Sequence, residues 1–552
     1  GRNNWGLVPY YGDAFGLSAG GGIAIYAGTS MACPMVAGVA ALVLDAYYTT
    51  NMAEAAPDMV KTIIQNTATD IGMDGLSQGH GVVNALAAYE YIVNDVGPLF
   101  YTYDSMENWA AATTEAWQYD MNPYDLDNFI NTTAPPTDFA DANLFFGLVE
   151  GGDAVTMTIE GNFGGYGAWT WSAEEYVEET VSTFSFETYI YNETTSMGHD
   201  VTKAGWFEFN ATTLGANYGD FIAAEYATVF ITGDQATFED DSLWAFVFDW
   251  DDSDPNNGVP DYYNTSTTAG DELTRWQYAG GTGNVLKMDL SNPDGIGNLF
   301  PNTGIVMVHD DNIWSWPYTG GNTLQVTVVT WQLVASAGFG FADNAGDCDV
   351  TLTVPAMDDY GIHQGFVIAD NTTHTYKMPY TYNVYATYDS VDDVLELANG
   401  DGGTWTPYEP GVLAAGFDSY YSTRSADHHS IVVDMTNSSV NYFAARAEWT
   451  NADTDMDVAI VDMTGYELAH SGDAVKATDT SALAIADIAG TEGMYIIYTT
   501  MNEMDGTNMP EDYILTVVGY NSLNEPVLTL SWYSRDSPTQ TVFTAGDSIA
   551  GD

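Results

Sequence analysis

One serine stands in a setting that could do nucleophilic chemistry. The run Gly28-Thr29-Ser30-Met31-Ala32-Cys33-Pro34-Met35-Val36-Ala37-Gly38 continues into Val39-Ala40-Ala41-Leu42-Val43-Leu44 and meets no charge until Asp45. Gly28 permits a sharp turn ahead of the serine. Pro34 suits the first turn of a helix, where its missing N–H costs little. Ala32, Ala37, Gly38, Ala40 and Ala41 let neighbouring backbone come close, and Cys33 reads as a small buried hydrophobe. The pattern predicts a helix buried on all sides, with the Ser30 hydroxyl at its start. Free N–H groups and a partial positive charge collect at such a helix end. An oxyanion forming on an attacked carbonyl would be stabilised there.

The run resembles the serine-nucleophile motif of the subtilisin-like serine proteases, G-T-S-M-A-x-P. It departs at Cys33, where Ser, Thr or Ala is usual, and at Met35, where many members have a His that is not the catalytic one. The resemblance continues through Asp58-Met59-Val60-Lys61-Thr62-Ile63-Ile64-Gln65-Asn66-Thr67-Ala68, similar to the family's next helix. Gly79-His80-Gly81-Val82-Val83-Asn84-Ala85 is similar to the turn into its last catalytic-domain helix. The resemblance implies that Ser30 is the nucleophile of an endopeptidase acting on proteins or peptides, and that its backbone N–H helps hold the oxyanion. A serine hydroxyl also needs a base and the base an orienting carboxylate, which this family carries in the order Asp, His, Ser. Only 29 residues precede Ser30, none is His, and all eight His follow it; Asn3 and Asn4 are too close to match the family's oxyanion Asn. The expectation is therefore that the acid–base pair belongs to an upstream part of the same protease. The chain then reads as the back portion of a longer protein, with natural processing before Gly1 as the alternative.

Composition narrows the function classes. Lys+Arg number 10 against 77 Asp+Glu, a formal net charge of −67, while 45% of the 552 residues are hydrophobic. Sizeable cores are possible, and wholesale disorder is not expected. The charge excludes nucleic acid as a partner, since its phosphates need cations, and argues against anionic membrane surfaces. It suits a solvated surface in a salty or divalent-rich medium, or an acidic one. No apolar stretch reads as a membrane span. Cys33 and Cys348, far apart in sequence, are not expected to pair.

The expected fold class is mixed: an α/β subtilisin-like C-terminal portion followed by several all-β domains of sandwich or jelly-roll type. Residues 1–96 make the first part, with helices over about 30–48, 57–67 and 82–95. After Gly97-Pro98, alternating, aromatic and β-branched stretches take over, with short helices near 104–117 and 173–181. The expected divisions are a β-rich domain at 97–324, a unit at 325–387 that resembles a fibronectin-III-like sandwich, and a C-terminal sandwich at 388–530. Residues 531–552 begin a further segment or linker. Within 97–324, Asp249, Asp251, Asp252, Asp254, Asn256 and Asp261 cluster around Gly258. Such oxygen ligands suit calcium, in a structural role. His363 and His374 read as surface or packing residues. His428 and His429 would point to opposite faces of a strand, which disfavours a metal pair.

Six N-x-S/T sequons lie at Asn131, Asn192, Asn210, Asn264, Asn371 and Asn437, all beyond the catalytic portion. They are glycosylation candidates that suit an extracellular or cell-surface protein. Two function classes follow. One is a secreted subtilisin-like endopeptidase, held or positioned by its β domains. The other is a structural surface or filament protein, part of a cell-surface assembly, carrying a subtilase remnant; the intact G-T-S run favours the enzyme. The charge makes its own prediction. Carboxylate repulsion is screened over a Debye length of about 10 Å at 0.1 M salt, so stability near neutral pH should rise with ionic strength. A melting temperature unchanged between millimolar and molar NaCl would contradict this.

Overall fold

The computed structural model describes residues 4–7, 23–26, 29–94, 97–105, 138–187, 189–191, 202–233, 242–251, 272–282, 285–291, 304–311, 323–344, 346–355, 361–387, 412–413, 428–436, 440–449, 455–463, 466–471, 480–489, 493–503 and 511–521. The first elements are β1 (Asn4–Leu7), β2 (Ile23–Tyr26), α1 (Thr29–Asn51), α2 (Pro57–Asn66), α3 (Gly75–Gln78) and α4 (Ala85–Asn94). Strands then dominate: β3 (Phe100–Ser105), β4 (Asp138–Asp141), β5 (Leu144–Glu150), β6 (Ala154–Gly161), β7 (Thr170–Glu187), β8 (Tyr189–Tyr191) and β9 (Thr202–Phe209). Helix α5 (Tyr218–Ala223) precedes β10 (Tyr226–Gly233), β11 (Ser242–Asp251), β12 (Glu272–Thr282), β13 (Val285–Ser291), β14 (Gly304–Asp311), β15 (Thr323–Ala335), β16 (Phe339–Asp343), β17 (Asp347–Thr353), β18 (Gly361–Asp370) and β19 (Thr375–Thr387). The rest are β20 (Val412–Leu413), β21 (His428–Asp434), β22 (Val440–Trp449), β23 (Asp455–Asp462), β24 (Glu467–His470), β25 (Ser481–Asp487), β26 (Met494–Glu503) and β27 (Glu511–Asn521).

The three longer helices fall close to the expected spans, but α1 is not buried on all sides. Val39, Val43 and Ala46 enter a core with Val60 and Ile63 of α2 and Ala88, Tyr91 and Ile92 of α4. On the other side Met35, Leu42 and Tyr48 are more than half exposed, and Cys33 is exposed rather than buried. Among the described residues, α2 and α4 flank one side of α1 only, so an all-round apolar sequence receives one-sided cover. The membrane expectation also needs correction. Ala32–Asn51 is long and apolar enough to cross a bilayer by length and composition, because Ala and Gly dilute a run interrupted only by Asp45. Val39, Val43 and Ala46 of this span pack against α2 and α4, while most of its length is not buried.

The helix expected over 173–181 is a strand. Ala173-Glu174-Glu175 carries strong helix formers, yet β7 runs through it for 18 residues. It pairs along Glu174–Glu187 with β15 and along Thr170–Glu175 with β18. Two flanking ladders satisfy the backbone, and tertiary pairing overrides local propensity. The other expected short helix, 104–117, lies almost wholly outside the described residues.

The β-rich part is mostly strands in several sheets. An eleven-stranded sheet runs β13-β10-β15-β7-β18-β19-β21-β26-β23-β24, with β5 also paired to β19. Two five-stranded sheets, β12-β11-β14-β9-β8 and β16-β17-β6-β3-β4, and a four-stranded sheet, β20-β27-β22-β25, complete it, while β1 and β2 form a separate pair. One core joins Phe100, Ile159, Phe163, Val350 and Tyr380. A second holds Phe209, Phe221, Val229, Leu290 and Val326. The largest lies where β22, β25 and β27 meet β21, β23 and β26, with Ala445, Trp449, Val458, Ile497 and Val517.

The division expected at 324/325 falls inside β15, whose partners β7 and β10 both come from the earlier segment. Likewise β17 pairs with β6 and β18 with β7. Period-two alternation finds strands but not their partners, so it does not locate such interleaving. At the 387/388 division, β19 ends on Thr387 beside Asp434 of β21, in parallel register.

Gly365 shows how tightly β18 is held. A Cβ there would collide with the Glu174 carbonyl oxygen and come within 2.8 Å of the Tyr380 hydroxyl. Gly365→Ala should destabilise the protein by about 1–3 kcal/mol, the usual range for overpacking. Urea unfolding is the measurement, and an unchanged midpoint would mean that β7 and β18 can separate freely at this point.

Candidate active site

Ser30 is the second residue of α1. The first N–H groups of a helix have no partner one turn back, so the serine's own N–H belongs to this set. Pro34 lies in the second turn rather than the first. It has no N–H to return to the Ser30 carbonyl, so that one backbone bond is missing from the opening turns of the helix. The first turn carries no acidic residue, which leaves the positive end of the helix dipole uncompensated from within. A developing negative charge is the species this end would stabilise.

Around the helix, Gly81 holds the turn that leads into α4. Its φ of 108° is one that L side chains avoid, and a Cβ would strike the Thr69 carbonyl. The close approach lets Thr69 and Val82 exchange backbone hydrogen bonds, 2.8 and 2.9 Å. Asn84 then accepts from the Ala87 N–H at 3.0 Å, capping the start of α4.

The histidines with described side chains have partners of their own. His80 Nε2 lies 2.7 Å from Asn143 Oδ1. His363 Nδ1 lies 2.8 Å from Glu175 Oε1, with its ring stacked on Tyr382, which fits a packing role. His374 stands edge-on to Tyr166. His429 Nδ1 lies 2.8 Å from the Tyr513 hydroxyl, and His470 Nδ1 lies 2.6 Å from Glu467.

The remaining predicted positions are not gathered around Ser30 in the described residues. Asp249 and Asp251 end β11, while Asp252, Asp254, Asn256 and Asp261 lie outside the described residues. Among the described residues no group of three or more His, Cys, Asp or Glu is arranged to hold a metal. Of the sequons, Asn131, Asn192, Asn264 and Asn437 also lie outside. Asn210 donates its amide to Glu208 at 3.0 Å, and Asn371 donates to the Tyr166 carbonyl at 3.1 Å. Both cysteines are free. Burial, helped by Asp343, pushes the Cys348 thiol up to about 12 despite a backbone bond from Ala342, so it stays protonated.

Sequence reading missed a set of neutral residues that fasten the Ser30-bearing region to the β-rich part. Tyr176 of β7 donates to the Met73 carbonyl at 3.3 Å. Burial first, and then Asp74, Glu225, Asp70 and Glu174, raise its pKa, keeping the phenol a donor. The Leu76 N–H donates to Gln364 Oε1 of β18, and the Ala142 N–H to Gln65 Oε1 of α2. No motif marks these side chains, because each takes its meaning from a partner distant in sequence.

The comparisons with known proteins bear on this same region. Residues 11–83 match the Subtilase family. They form a subtilase-like region. A 66-residue stretch of the chain is 42% identical to tripeptidyl-peptidase 2 of Drosophila melanogaster; it covers 12% of this chain and 4% of that protein. The chain thus matches only a small part of its curated relative. Among solved structures, the CBM51-2 and INT domains of ZmpB from Clostridium perfringens align over 29% of this chain and 38% of theirs, at 14% identity and a TM-score of 0.14. A peptide-N(4)-(N-acetyl-β-D-glucosaminyl) asparagine amidase aligns over 62% and 97%, at 10% identity and the same TM-score. Likenesses this low carry no argument beyond the subtilase-like region.

Proposed function

We propose that this chain is part of an extracellular or cell-surface subtilisin-like serine endopeptidase in which Ser30 is the nucleophile. The observation that carries the reading is a serine in the opening turn of α1, inside the segment that matches the Subtilase family. Ser30 Oγ attacks the scissile carbonyl of a protein or peptide, and the helix-start N–H holds the oxyanion. A His accepts the serine proton and an Asp orients that His; in this reading both come from the part of the protease upstream of Ser30, outside this chain. The β-rich units, including the sandwich-like modules expected from sequence, tether the enzyme or present substrate. Acidity and sequons support an exposed, saline setting.

Calcium held by Asp249, Asp251, Asp252, Asp254, Asn256 and Asp261 is a structural element of the proposal. Selective binding to the native form would add about 2.7 kcal/mol at a hundredfold excess over Kd. Thermal midpoints measured with calcium and with chelator should differ in the wild type and converge in Asp254→Ala. Equal midpoints in all four samples would remove calcium from the account.

The decisive test of the nucleophile is labelling with a fluorophosphonate probe and mass mapping of the adduct. A serine hydroxyl is weakly nucleophilic until a positioned base takes its proton. Ser30 should therefore be labelled in the full-length protein, unlabelled after Ser30→Ala, and barely labelled in the 552-residue chain alone. Strong labelling of that chain would place a base within it. A full-length protein that stays unlabelled with its cleft open would turn the assignment towards a structural surface protein.

A further inference from the structure

Leu99 and Phe100 are adjacent, and each sits in a different core. Leu99 is 5% exposed and packs with the helices, among Val43, Ile63 and Ile92. Phe100 is fully buried among the strands, with its ring 5.0 Å from Phe163 and 5.2 Å from Trp169. Successive side chains of an extended chain point to opposite sides, so this one step joins the helical core to the β core.

The backbone of that step is held mainly by side-chain amides. Asn66, at the end of α2, accepts from the Phe100 N–H at 2.9 Å and donates to the Phe100 carbonyl at 2.9 Å. Its other amide hydrogen goes to the Thr62 carbonyl at 2.9 Å, inside α2. Every strong hydrogen-bonding direction of the Asn66 carboxamide but one acceptor site is thereby used. The Leu99 N–H donates to Asn162 Oδ1 at 2.6 Å, and Asn162 donates in turn to the Tyr91 hydroxyl of α4. Helices α2 and α4 are therefore gripped at the same two residues, and both pack against α1.

We infer that the β-rich part is the frame that sets the place of α1, and that Asn66 is the positioning residue through which it acts. The Leu99–Phe100 step makes residues 29–94 and the strands around β3 and β6 one cooperative unit. Asn66, Asn162 and Tyr91 act through α2 or α4 on the helix that carries Ser30. The functional side of the inference rests on the proposed nucleophile, while the coupling itself does not.

Hydrogen exchange followed by mass spectrometry on the 552-residue chain tests the coupling without any need for activity. In the unmutated protein, peptides from 29–51, 57–66 and 100–105 should exchange as one slow group. Asn66→Ala removes bonds at both ends of the clamp and should speed exchange in all three about tenfold, leaving β22 and β26 unchanged. Asn66→Gln keeps both the amide donors and the acceptor on a longer side chain, so it should fall between, and it serves if the alanine variant does not fold. Independent exchange of the helices and β3 in the unmutated protein, or an effect of Asn66→Ala confined to 57–66, would overturn the coupling. In the full-length protein with Asn66→Ala, fluorophosphonate labelling of Ser30 should slow through the inactivation step rather than probe binding, with partial recovery in Asn66→Gln. An unmutated protein that takes no label would overturn the nucleophile assignment, and the exchange result would then decide the coupling alone.

Discussion

The backbone pairing of β7 is the constraint on which the rest of the structure depends. An 18-residue extended segment inside a sheet pairs its N–H and C=O groups with neighbouring strands, and where it is covered, as at Ala173 and Tyr176, each bond left unmade costs a large part of its desolvation. β15 supplies one ladder along Glu174–Glu187, and the second half of β18 supplies the other along Thr170–Glu175. With that register set, β7 delivers a side chain to one core after another. Ala173 enters the core around Phe100, Val181 packs on the C-terminal core, and Phe184 and Phe186 pack on the core around Phe209. Tyr176 stands in an aromatic cluster with Tyr226 and Phe366 and reaches the Met73 carbonyl. A single strand thus touches the larger β cores and the subtilase-like region as well.

What could be read in the sequence follows from how local each signal is. The Ser30 helix was legible because its cues are contiguous: a glycine, a serine, then an uncharged run. Helices α2 and α4 were legible through the resemblance of residues 58–68 and 79–85 to the subtilase family's helices. β7 was not, since Ala173 to Glu175 favour a helix locally and only β15 and β18 reverse the choice. The interleaving of β15, β17 and β18 with earlier strands was hidden for the same reason, as alternation is a property of one segment and pairing of two. Exposure of Met35, Leu42 and Tyr48 could not be foreseen either: sequence states that a helix side is apolar, not whether a neighbour is present. Of the candidate site, sequence reading supplied Ser30, the proposed nucleophile, and its place at a helix start, but none of the fastening amides.

Those amides explain a feature of the chemistry. With 77 carboxylates and ten cations, ion pairs are too few to hold the units together. Lys377 Nζ lies 3.6 Å from Asp70 Oδ2 at the junction, but both side chains are more than a third exposed. Exposed pairs of this kind contribute about 1 kcal/mol or less and weaken as salt rises. The better-defined contacts are neutral: Asn66 with Phe100, Gln65 with Ala142, Asn162 with Leu99, Gln364 with Leu76 and Tyr176 with Met73.

Neutral hydrogen bonds respond to the medium differently from the surface around them. Added salt screens carboxylate repulsion over the whole molecule, while a hydrogen bond between neutral amide groups carries no net charge to screen. Acid protonates carboxylates but leaves Asn and Gln amides as they are. The Tyr176 phenol, raised by burial and by four neighbouring carboxylates, also remains a donor across this range. A highly acidic protein can therefore pass between dilute, saline and mildly acidic conditions with the neutral bonds of its junction unaltered. Its surface takes up the change in electrostatic free energy, and α1 keeps its seat against the β-rich frame.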